Sequence, residues 1–598
     1  MNKPCFYHTG RQEIELIYTI HQRIKILDTE ALDLGDFSIS QYKANNDYVK
    51  VRNLKAITYN LEDGAEAKYK LDKKEIHKEK VNDYYTNLKF SMPKVKKGSV
   101  IEISYEIVTN RFYDIPTTYF QGEYPRKYTE LFTIIPDVLK YMVISQGFHH
   151  IKQEKTYGNM PIFGENSQTV NTRWYAHHVP GLKAESFITT MKDYYAQVKF
   201  QLGSIVAQGV TRNILGTWEK IAEDFQQSES FGSRMRKKGF YKDQLEAIKA
   251  KHSDPVALTQ GIYSFVRNHM EWDGKNRMQA HDSPREKFKI RKGNSADINL
   301  MLISILRAAG IKANPVILST RGNGKAHPHY PILDNYNYVI AKVYLGNGFA
   351  LLDATSRIVP FGVLPQRCLN YFGREILPKT APSISISSPA KYDNKITAQV
   401  NIAKDGSLEG AIRISEKGYD AVQSRIKIFK DGEEKYFTNF EEKMVDYEVS
   451  DQSIRNKEDL SKSLIHSMKI TKEGESEETI YITPKLFSSF SENPFKQEKR
   501  TYPVDLAAAV SEKMTYIFTI PEGYKVTETP QAIKLLLPEN GGSYFFKAAI
   551  TGNRIQVLST LKLNKTMYTP KEYDFLKTLF EGMLNKLEEP IIIKKASI

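Results

Sequence analysis

Alternating apolar and polar positions are the main pattern in the first third of the chain. From Ile101 to Ile107 every second residue is apolar or aromatic, and the residues between them are Glu or Ser. This period of two is typical of a strand in a sheet with one face in water. Further strands are predicted at residues 50–59 and around 194–202, with turn residues between them. The pattern predicts an antiparallel β-sandwich for residues 1–210.

The pattern becomes helical from about Thr217. Asp254 followed by Pro255 predicts an N-cap and a first helical residue, and apolar residues recur after them at helical spacing. A second helix is predicted to begin at Ser295, with Ser295 as its N-cap, and to end before Gly310. The segment therefore combines two amphipathic helices with the strands that follow them.

The rest of the chain returns mainly to short strands. A glycine-rich turn predicts a hairpin over residues 336–353, which completes a central domain at 211–378. Residues 379–598 show strands separated by Gly turns and then a final helix, in which Thr569 and Glu572 form a capping box. The predicted fold class is multidomain α+β: a β-sandwich, a central α+β domain, and a C-terminal β domain with a terminal helix.

The length of the chain bears on the number of domains, and its charge bears on the kind of partner. The chain has 598 residues, which is too long for one compact core. Lys and Arg number 85 against 70 Asp and Glu, a net charge of +15. The basic residues are interspersed with acids and apolar residues even in the most basic stretch, 285–292. We interpret the excess as a solvated basic surface, and no nucleic-acid partner is expected.

The sequence gives no support for a disulfide framework, a zinc site or a membrane-spanning segment. Cys5 and Cys368 are far apart and could form at most one disulfide, and two thiols alone do not make a zinc site. No cofactor or metal is therefore predicted. No uncharged run approaches the roughly 18 residues that would span a bilayer. The first residues, 1–18, show no apolar core of a signal peptide.

Residues 292–297, Lys-Gly-Asn-Ser-Ala-Asp, lead into the second helix. They resemble the nucleophile segment of bacterial transglutaminase-like proteins, in which Gly-x-Cys-x-Asp opens a helix. The helix ends in a phrase that also matches, at residues 306–316, Leu-Arg-Ala-Ala-Gly-Ile-Lys-Ala-Asn-Pro-Val. The family's Asn-His element aligns with residues 337–338, and its Leu-Asp-Pro-Thr-like element with residues 352–355. The resemblance implies a papain-like α+β fold for the central domain.

Only one position of the family's catalytic triad keeps its residue. Ser295 stands in place of the cysteine and Tyr338 in place of the histidine, while Asp353 is retained. A helix N-terminus and a neighbouring imidazolium lower the pKa of a thiol into the working range, but a serine hydroxyl needs a base. A tyrosine, with a usual pKa near 10, is protonated at neutral pH and cannot serve as that base. The resemblance therefore implies a degenerate and inactive triad.

Two other sources of a base or a nucleophile are open alternatives to this interpretation. His327 or His329 could swing toward Ser295 as a borrowed base, and Cys368 could supply a thiol. Cys368 matches a non-catalytic phrase of the family, and we expect it to be buried as a small apolar residue. Ser295 could serve mainly as an N-cap, and Asp353 could orient Tyr338 or accept turn amides.

The resemblance extends to both flanks. Residues 59–102 resemble the β-rich domain of unknown function that precedes such central domains, and residues 493–524 resemble the β domain that follows them. It implies an exported or periplasmic protein, although no signal peptide is recognised in this sequence. The leading hypothesis is a pseudoenzyme that binds a peptide or a glycan-linked ligand. The alternatives are a hydrolase or acyltransferase using Ser295 with a borrowed histidine, and a structural cell-envelope component. Oligomeric state and partners are left open.

Overall fold

The structure is a computed structural model, and it forms two compact units. The first comprises Met1–Lys183 with Met191–Gly216, and the second comprises Ala184–Thr190 with Thr217–Ile598. The residues that the structure describes are 2–8, 14–44, 46–162, 165–207, 209–474, 476 and 478–596.

The first unit is built from strands. In chain order they are β1 Asn2–His8, β2 Ile14–Lys25, β3 Asp36–Ala44, β4 Asp47–Glu62, β5 Ala65–Lys70, β6 His77–Lys80, β7 Tyr85–Ser91, β8 Val100–Thr109, β9 Thr118–Tyr119, β10 Arg126–Pro136, β11 Leu139–Gln146, β12 Lys152–Ile162, β13 Glu165–Val179, β14 Gln197–Ala207 and β15 Val210–Asn213. The larger sheet has the order β12-β13-β10-β1-β2-β8-β4-β3-β7-β6, with β5 beside β4. The smaller sheet has the order β11-β14-β15, with β9 beside β14.

The two sheets of the first unit share a core. Leu16 and Trp174 of the larger sheet pack in one apolar cluster with Phe200 and Leu202 of the smaller sheet. The rings of Trp174 and Phe200 meet edge to face, with centroids 5.4 Å apart. Among the described residues of this unit, the strand pairs are antiparallel except β1 with β10. The prediction of an antiparallel, β-rich N-terminal region is confirmed, with that one parallel pair as an exception.

The central part of the second unit mixes helices with a small sheet. Its helices are α1 Trp218–Gln227, α2 Gly232–Arg236, α3 Lys242–Lys249, α4 Pro255–His269, α5 Pro284–Ile290 and α6 Ser295–Ala308. Its strands are β16 Glu271–Trp272, β17 Lys292–Gly293, β18 Ala313–Leu318, β19 Tyr338–Leu345, β20 Gly348–Leu352, β21 Phe372–Glu375 and β22 Ser383–Ser385. The order β20-β19-β18-β21-β22 forms an antiparallel sheet against which α6 packs. The predicted central α+β domain is confirmed.

Helix α6 is enclosed on nearly every side. Every residue from Ser295 to Leu306 is buried, which is the burial pattern of a central core helix rather than of an amphipathic surface helix. Helix α6 ends before Gly310, as predicted. The φ of Gly310, +82°, lies in the left-handed region that favours glycine.

The prediction that Ser295 is the N-cap of α6 is wrong. Asn294 is the N-cap: its Oδ1 accepts from the backbone N–H groups of Ala296 (2.8 Å) and Asp297 (3.0 Å). Asp297 completes a capping box by accepting from the Asn294 N–H at 2.9 Å. Asparagine caps at least as well as serine, and the acid three residues on favours this register. Ser295 is consequently the first helical residue, and its hydroxyl does not cap the helix.

The C-terminal part of the second unit is a β domain, and its described residues include three α-helices. Its elements are β23 Tyr392–Ile402, β24 Leu408–Lys417, α7 Gly418–Asp431, α8 Glu433–Glu441, β25 Glu448–Arg455, β26 Leu464–Lys472, β27 Thr479–Ile482, β28 Val504–Asp505, β29 Val510–Thr519, β30 Tyr524–Glu528, β31 Ile533–Leu536, β32 Gly542–Thr551, β33 Arg554–Leu563, β34 Met567–Tyr568, α9 Tyr573–Glu588 and β35 Ile591–Lys595. The main sheet has the order β25-β26-β24-β23-β29-β33-β32-β31.

The terminal helix of this domain follows the predicted signals. The capping box of Thr569 and Glu572 starts a short 3-10 turn, and α9 continues from it with Leu576, Leu579 and Met583 buried. Helices α7 and α8 were not predicted from the sequence. No helix within the described residues is long and apolar enough to cross a bilayer.

Candidate functional site

Tyr338 and Asp353 are brought together by a hairpin. Strands β19 and β20 are antiparallel, with Ala341 opposite Leu352, so the first residue of β19 and the residue after β20 lie at the same end. The Tyr338 hydroxyl donates to Asp353 Oδ2 at 2.8 Å. Both side chains are fully buried. Two of the three predicted site residues are therefore in direct contact.

Three groups besides Tyr338 donate hydrogen bonds to Asp353, and a guanidinium lies nearby. Its Oδ1 accepts from Asn299 Nδ2 and from the Thr355 backbone N–H, each at 3.0 Å. Its Oδ2 also accepts from Cys368 Sγ at 3.5 Å, and Arg367 Nη2 lies 3.8 Å from that oxygen. A buried carboxylate with this many donors has its hydrogen-bonding capacity satisfied within the protein.

Asn299 connects the helix of Ser295 to this hairpin. It lies four residues after Ser295 on α6, and its Nδ2 donates to the Val339 carbonyl (2.9 Å) as well as to Asp353. Its Oδ1 accepts from the Ala354 N–H at 2.9 Å. The amide thereby uses donors and acceptor to fix α6 against both strands.

Ser295 is tied to a different partner. Its side chain is 0% exposed. Its Oγ donates to the Arg277 carbonyl and accepts from the Arg277 N–H, both at 2.8 Å. Among the hydrogen bonds of the described residues, Ser295 Oγ has none with Tyr338, Asp353, His327 or His329. The structure thus does not connect this hydroxyl to a base.

The environment of Tyr338 keeps its phenol protonated. Burial, then the charge of Asp353, raise the pKa of Tyr338 well above its usual value of 10, and the opposing effect of Arg367 is smaller. Arg367 donates to the Tyr338 oxygen from Nε (3.3 Å) and Nη2 (3.1 Å). The phenol oxygen therefore already has an acceptor for its proton and donors for its lone pairs.

Arg367 bridges the two sides of the site. Its Nη2 also donates to Thr355 Oγ1 at 2.5 Å, while its guanidinium carbon lies 4.2 Å above the Trp272 ring. Trp272 belongs to β16 and lies opposite Gly293, two residues before Ser295. The Arg367 side chain is 27% exposed, and so it is the part of this cluster that reaches solvent.

Cys368 is the candidate for an alternative thiol, and His327 and His329 are the candidates for an alternative base. Cys368 is fully buried, as predicted, and burial and then Asp353 raise the pKa of its thiol well above the usual value. The side chain of Cys5 lies outside what the structure describes. His327 Nδ1 accepts from the backbone N–H groups of His329 (3.2 Å) and Tyr330 (3.0 Å). Burial, then the neighbouring His329, lower the pKa of His327.

The sequence argument missed Asn299, Thr355, Arg367 and Trp272. Asn299 carried a signal, since it is a polar residue inside the apolar α6 and one turn from Ser295. Arg367 carried none, because nothing in the local pattern shows that an arginine 29 positions after Tyr338 donates to it. In the described ranges, no group of three or more His, Cys, Asp or Glu side chains is placed to hold a metal ion.

Comparison with known families identifies the class of the chain. Residues 242–354 match the transglutaminase-like superfamily. Residues 15–181 match one domain of unknown function with a solved structure (DUF3857), and residues 478–593 match another (DUF3858). The chain thus carries a transglutaminase-like core domain flanked by two domains of unknown function, as the sequence resemblance implied.

One solved structure supports the same fold. The crystal structure of a "putative protease" from Parabacteroides distasonis ATCC 8503 aligns with a TM-score of 0.59 and 14% identity, covering 99% of this chain and 98% of that one. A "putative cysteine protease" from Cytophaga hutchinsonii aligns with a TM-score of 0.17 and 10% identity, covering 58% of this chain and 89% of that one. The first likeness concerns the fold alone. A comparison with curated proteins gives no match.

Proposed function

We propose that this chain is a catalytically inactive transglutaminase-like protein. The observation that carries the proposal is the state of Ser295, which is fully buried and has its hydroxyl engaged as both donor and acceptor with the Arg277 backbone. A nucleophile needs access to substrate and a base within hydrogen-bond reach. Ser295 has neither among the described contacts.

The chemistry at Tyr338 supports the same conclusion. A general base must be deprotonated at the working pH, whereas burial raises the pKa of this phenol well above 10. Asp353 retains its position but acts on Tyr338 and Asn299, which have no proton to exchange at neutral pH. In this proposal the former catalytic centre is a structural polar core that holds α6 against the β19–β20 hairpin.

A non-catalytic role leaves ligand binding as the function, with a peptide or a glycan-linked ligand as the proposed class. The surface where such a ligand would touch this region is formed by Trp272 and Arg367. Trp272 is half-buried, and its ring is covered on one face by a guanidinium that is still partly exposed. Aromatic rings and arginines are the side chains that dominate binding surfaces.

The inactivity proposal is tested with a serine-directed acylating probe on the full chain. No modification of Ser295 is expected, and Ser295→Ala should leave the labelling pattern unchanged. Ser304→Ala is a matched control, because Ser304 is equally buried on the same helix and bonds to Tyr241. Modification at Ser295 that disappears in Ser295→Ala would refute the proposal and favour a hydrolase or acyltransferase.

A structural role without a ligand is the second candidate, and one observation favours it. The Arg367 side chain fills the space between Tyr338 and Trp272, as expected if the groove is closed by the protein itself. Binding to immobilised peptides and glycopeptides separates the two candidates. Retention by wild type that is lost in Arg367→Ala supports ligand binding, and absence of retention for every probe supports the structural role.

A further inference from the structure

Three polar side chains of the second unit lie next to one another. They are Trp218 at the start of α1, Tyr336 just before β19, and Arg374 on β21, and we call them the Trp218 cluster. The rings of Trp218 and Tyr336 meet edge to face, with centroids 5.7 Å apart. The guanidinium carbon of Arg374 lies 4.5 Å from the centre of the Trp218 ring.

Each member of the Trp218 cluster has a buried donor that finds no acceptor among the described residues. The donors are Trp218 Nε1–H, the Tyr336 hydroxyl and Arg374 Nε–H. Tyr336 is 3% exposed and Arg374 is 9% exposed. A buried donor without an acceptor costs free energy, and such groups are rare in folded proteins. Three of them on neighbouring side chains require a common explanation.

The Trp218 cluster also holds an uncompensated charge. Arg374 donates to two backbone carbonyls, that of Pro328 from Nη2 at 2.5 Å and that of Ala381 from Nη1 at 3.4 Å. Within the described ranges, Arg374 forms no ion pair with a carboxylate. Burial raises the pKa of Tyr336, while a hydrogen bond from Arg374 to the phenol oxygen and the charge of the guanidinium oppose that rise, so the phenol keeps its proton at physiological pH. The cluster thus presents donors and a positive charge, without an acid.

The same domain contains a satisfied version of this arrangement. Glu375, the next residue along β21, is buried and accepts from Lys342 Nζ (2.7 Å), Tyr344 Oη (2.6 Å) and Asn314 Nδ2 (2.7 Å). There an amine, a phenol and an amide surround a carboxylate supplied by the chain. At the Trp218 cluster a guanidinium, a phenol and an indole are gathered, and no carboxylate among the described residues pairs with them.

We propose that the Trp218 cluster is a binding site for one small anionic group, a carboxylate or a phosphate. Its oxygens would accept from the indole, the phenol and Arg374 Nε, and its charge would balance the guanidinium. Charge-assisted hydrogen bonds of this kind are stronger than neutral ones. Trp218 itself is only half-buried, which places the site next to the surface. This site is separate from Ser295 and does not depend on the inactivity proposed above.

The test measures anion binding to the full chain by isothermal titration and by melting temperature at constant ionic strength. The probes are inorganic phosphate and acetate, with chloride as the background anion. Saturable binding that raises the melting temperature is expected, because a ligand of the folded state stabilises it. A response to acetate alone indicates a carboxylate ligand, and a response to phosphate indicates a phosphate or phosphoester.

Two variants identify the site. Tyr336→Phe keeps the ring and removes one donor, so we expect binding weaker by about tenfold, the effect of losing a hydrogen bond to a charged group. Trp218→Phe should weaken binding similarly and abolish any change in tryptophan emission on anion addition. Tyr263→Phe is the matched control: its hydroxyl donates to the carbonyls of Asp353 and Val359, so the variant should alter stability and leave anion affinity unchanged.

Two outcomes would contradict anion binding at the Trp218 cluster. If neither probe binds wild type, or if Tyr336→Phe and Tyr263→Phe bind equally well, the proposal is wrong. Buried water would then be the partner of the three donors. In that case Tyr336→Phe would change the melting temperature by the same amount in every buffer anion.

Discussion

The Tyr338 hydroxyl donates to Asp353 Oδ2 at 2.8 Å, and both side chains are fully buried. In the transglutaminase-like pattern that the sequence resembles, a histidine stands at this position, and an imidazole can take up and release a proton. A protonated phenol can donate to the aspartate but cannot take up a further proton at neutral pH. It also offers its oxygen to Arg367, which an imidazolium would repel.

The first prediction concerns Tyr338→Phe. The variant keeps the ring but leaves Asp353 without one donor and removes the acceptor used by Arg367. We expect the free energy of unfolding to fall by about 1–3 kcal/mol, the cost of unpairing buried polar partners. Urea denaturation followed by circular dichroism measures it. Combined with Asp353→Asn, the two losses should not add, because both remove the same bond. An additive double variant would contradict the direct coupling.

The second prediction concerns Ser295→Cys. A catalytic thiol at a helix N-terminus reacts readily because it is exposed and has a lowered pKa. Ser295 is fully buried and bonds to the Arg277 backbone, so the introduced thiol should react with iodoacetamide only as fast as the protein unfolds. Mass spectrometry of the peptide carrying position 295 follows the reaction. Cys368 is the internal reference, since it is a free cysteine that is also fully buried.

Rapid modification at position 295 relative to Cys368, in protein that remains folded, would show that the site opens to solvent. That outcome would also weaken the proposal of an inactive centre, because access is the condition that the buried serine fails to meet.

The third prediction concerns acids in the C-terminal domain. Burial, then the neighbouring Glu416, Glu512 and Asp393, raise the pKa of Asp420 to about 8, and burial raises that of Glu416 to about 7. An acid with a raised pKa binds more protons in the folded state, so stability is highest at low pH and is lost as pH rises from the unfolded value near 4. We expect the free energy of unfolding to fall by about 2–4 kcal/mol between pH 5 and pH 8.

The variant Asp420→Asn should remove much of that pH dependence and be more stable than wild type at pH 8. Asp431→Asn is the matched control, since Asp431 is the exposed last residue of the same helix. Denaturation curves at several pH values measure the slope. Equal slopes for wild type and Asp420→Asn would show that the Asp420 proton does not contribute.

The fold could be predicted further than the site. Periodicity and turn residues located the strands from Ile101 to Ile107 and the helix from Ser295, because these signals are local. Helix α7 was missed because its polar residues obscure its buried face, which packs on β23 and β24. Arg367 was missed for another reason: its partners Tyr338 and Trp272 are 29 and 95 positions away, and only the folded chain places them together.

The fourth prediction tests the corrected N-cap of α6. Asn294 accepts from two backbone N–H groups of the first turn, so Asn294→Ala should lower the free energy of unfolding by about 1 kcal/mol or more. Asn294→Ser should recover most of the loss, because serine caps nearly as well. Asp254→Ala at α4 is the matched control for an N-cap of the same domain, where the Asp254 carboxylate accepts from the Ala257 N–H. Ser295→Ala should also lower the free energy of unfolding, because it removes the two hydrogen bonds to the Arg277 backbone. Placing a different capping residue at position 295 should not restore that stability. Full stability of Asn294→Ala, measured by urea denaturation, would instead assign the cap to Ser295.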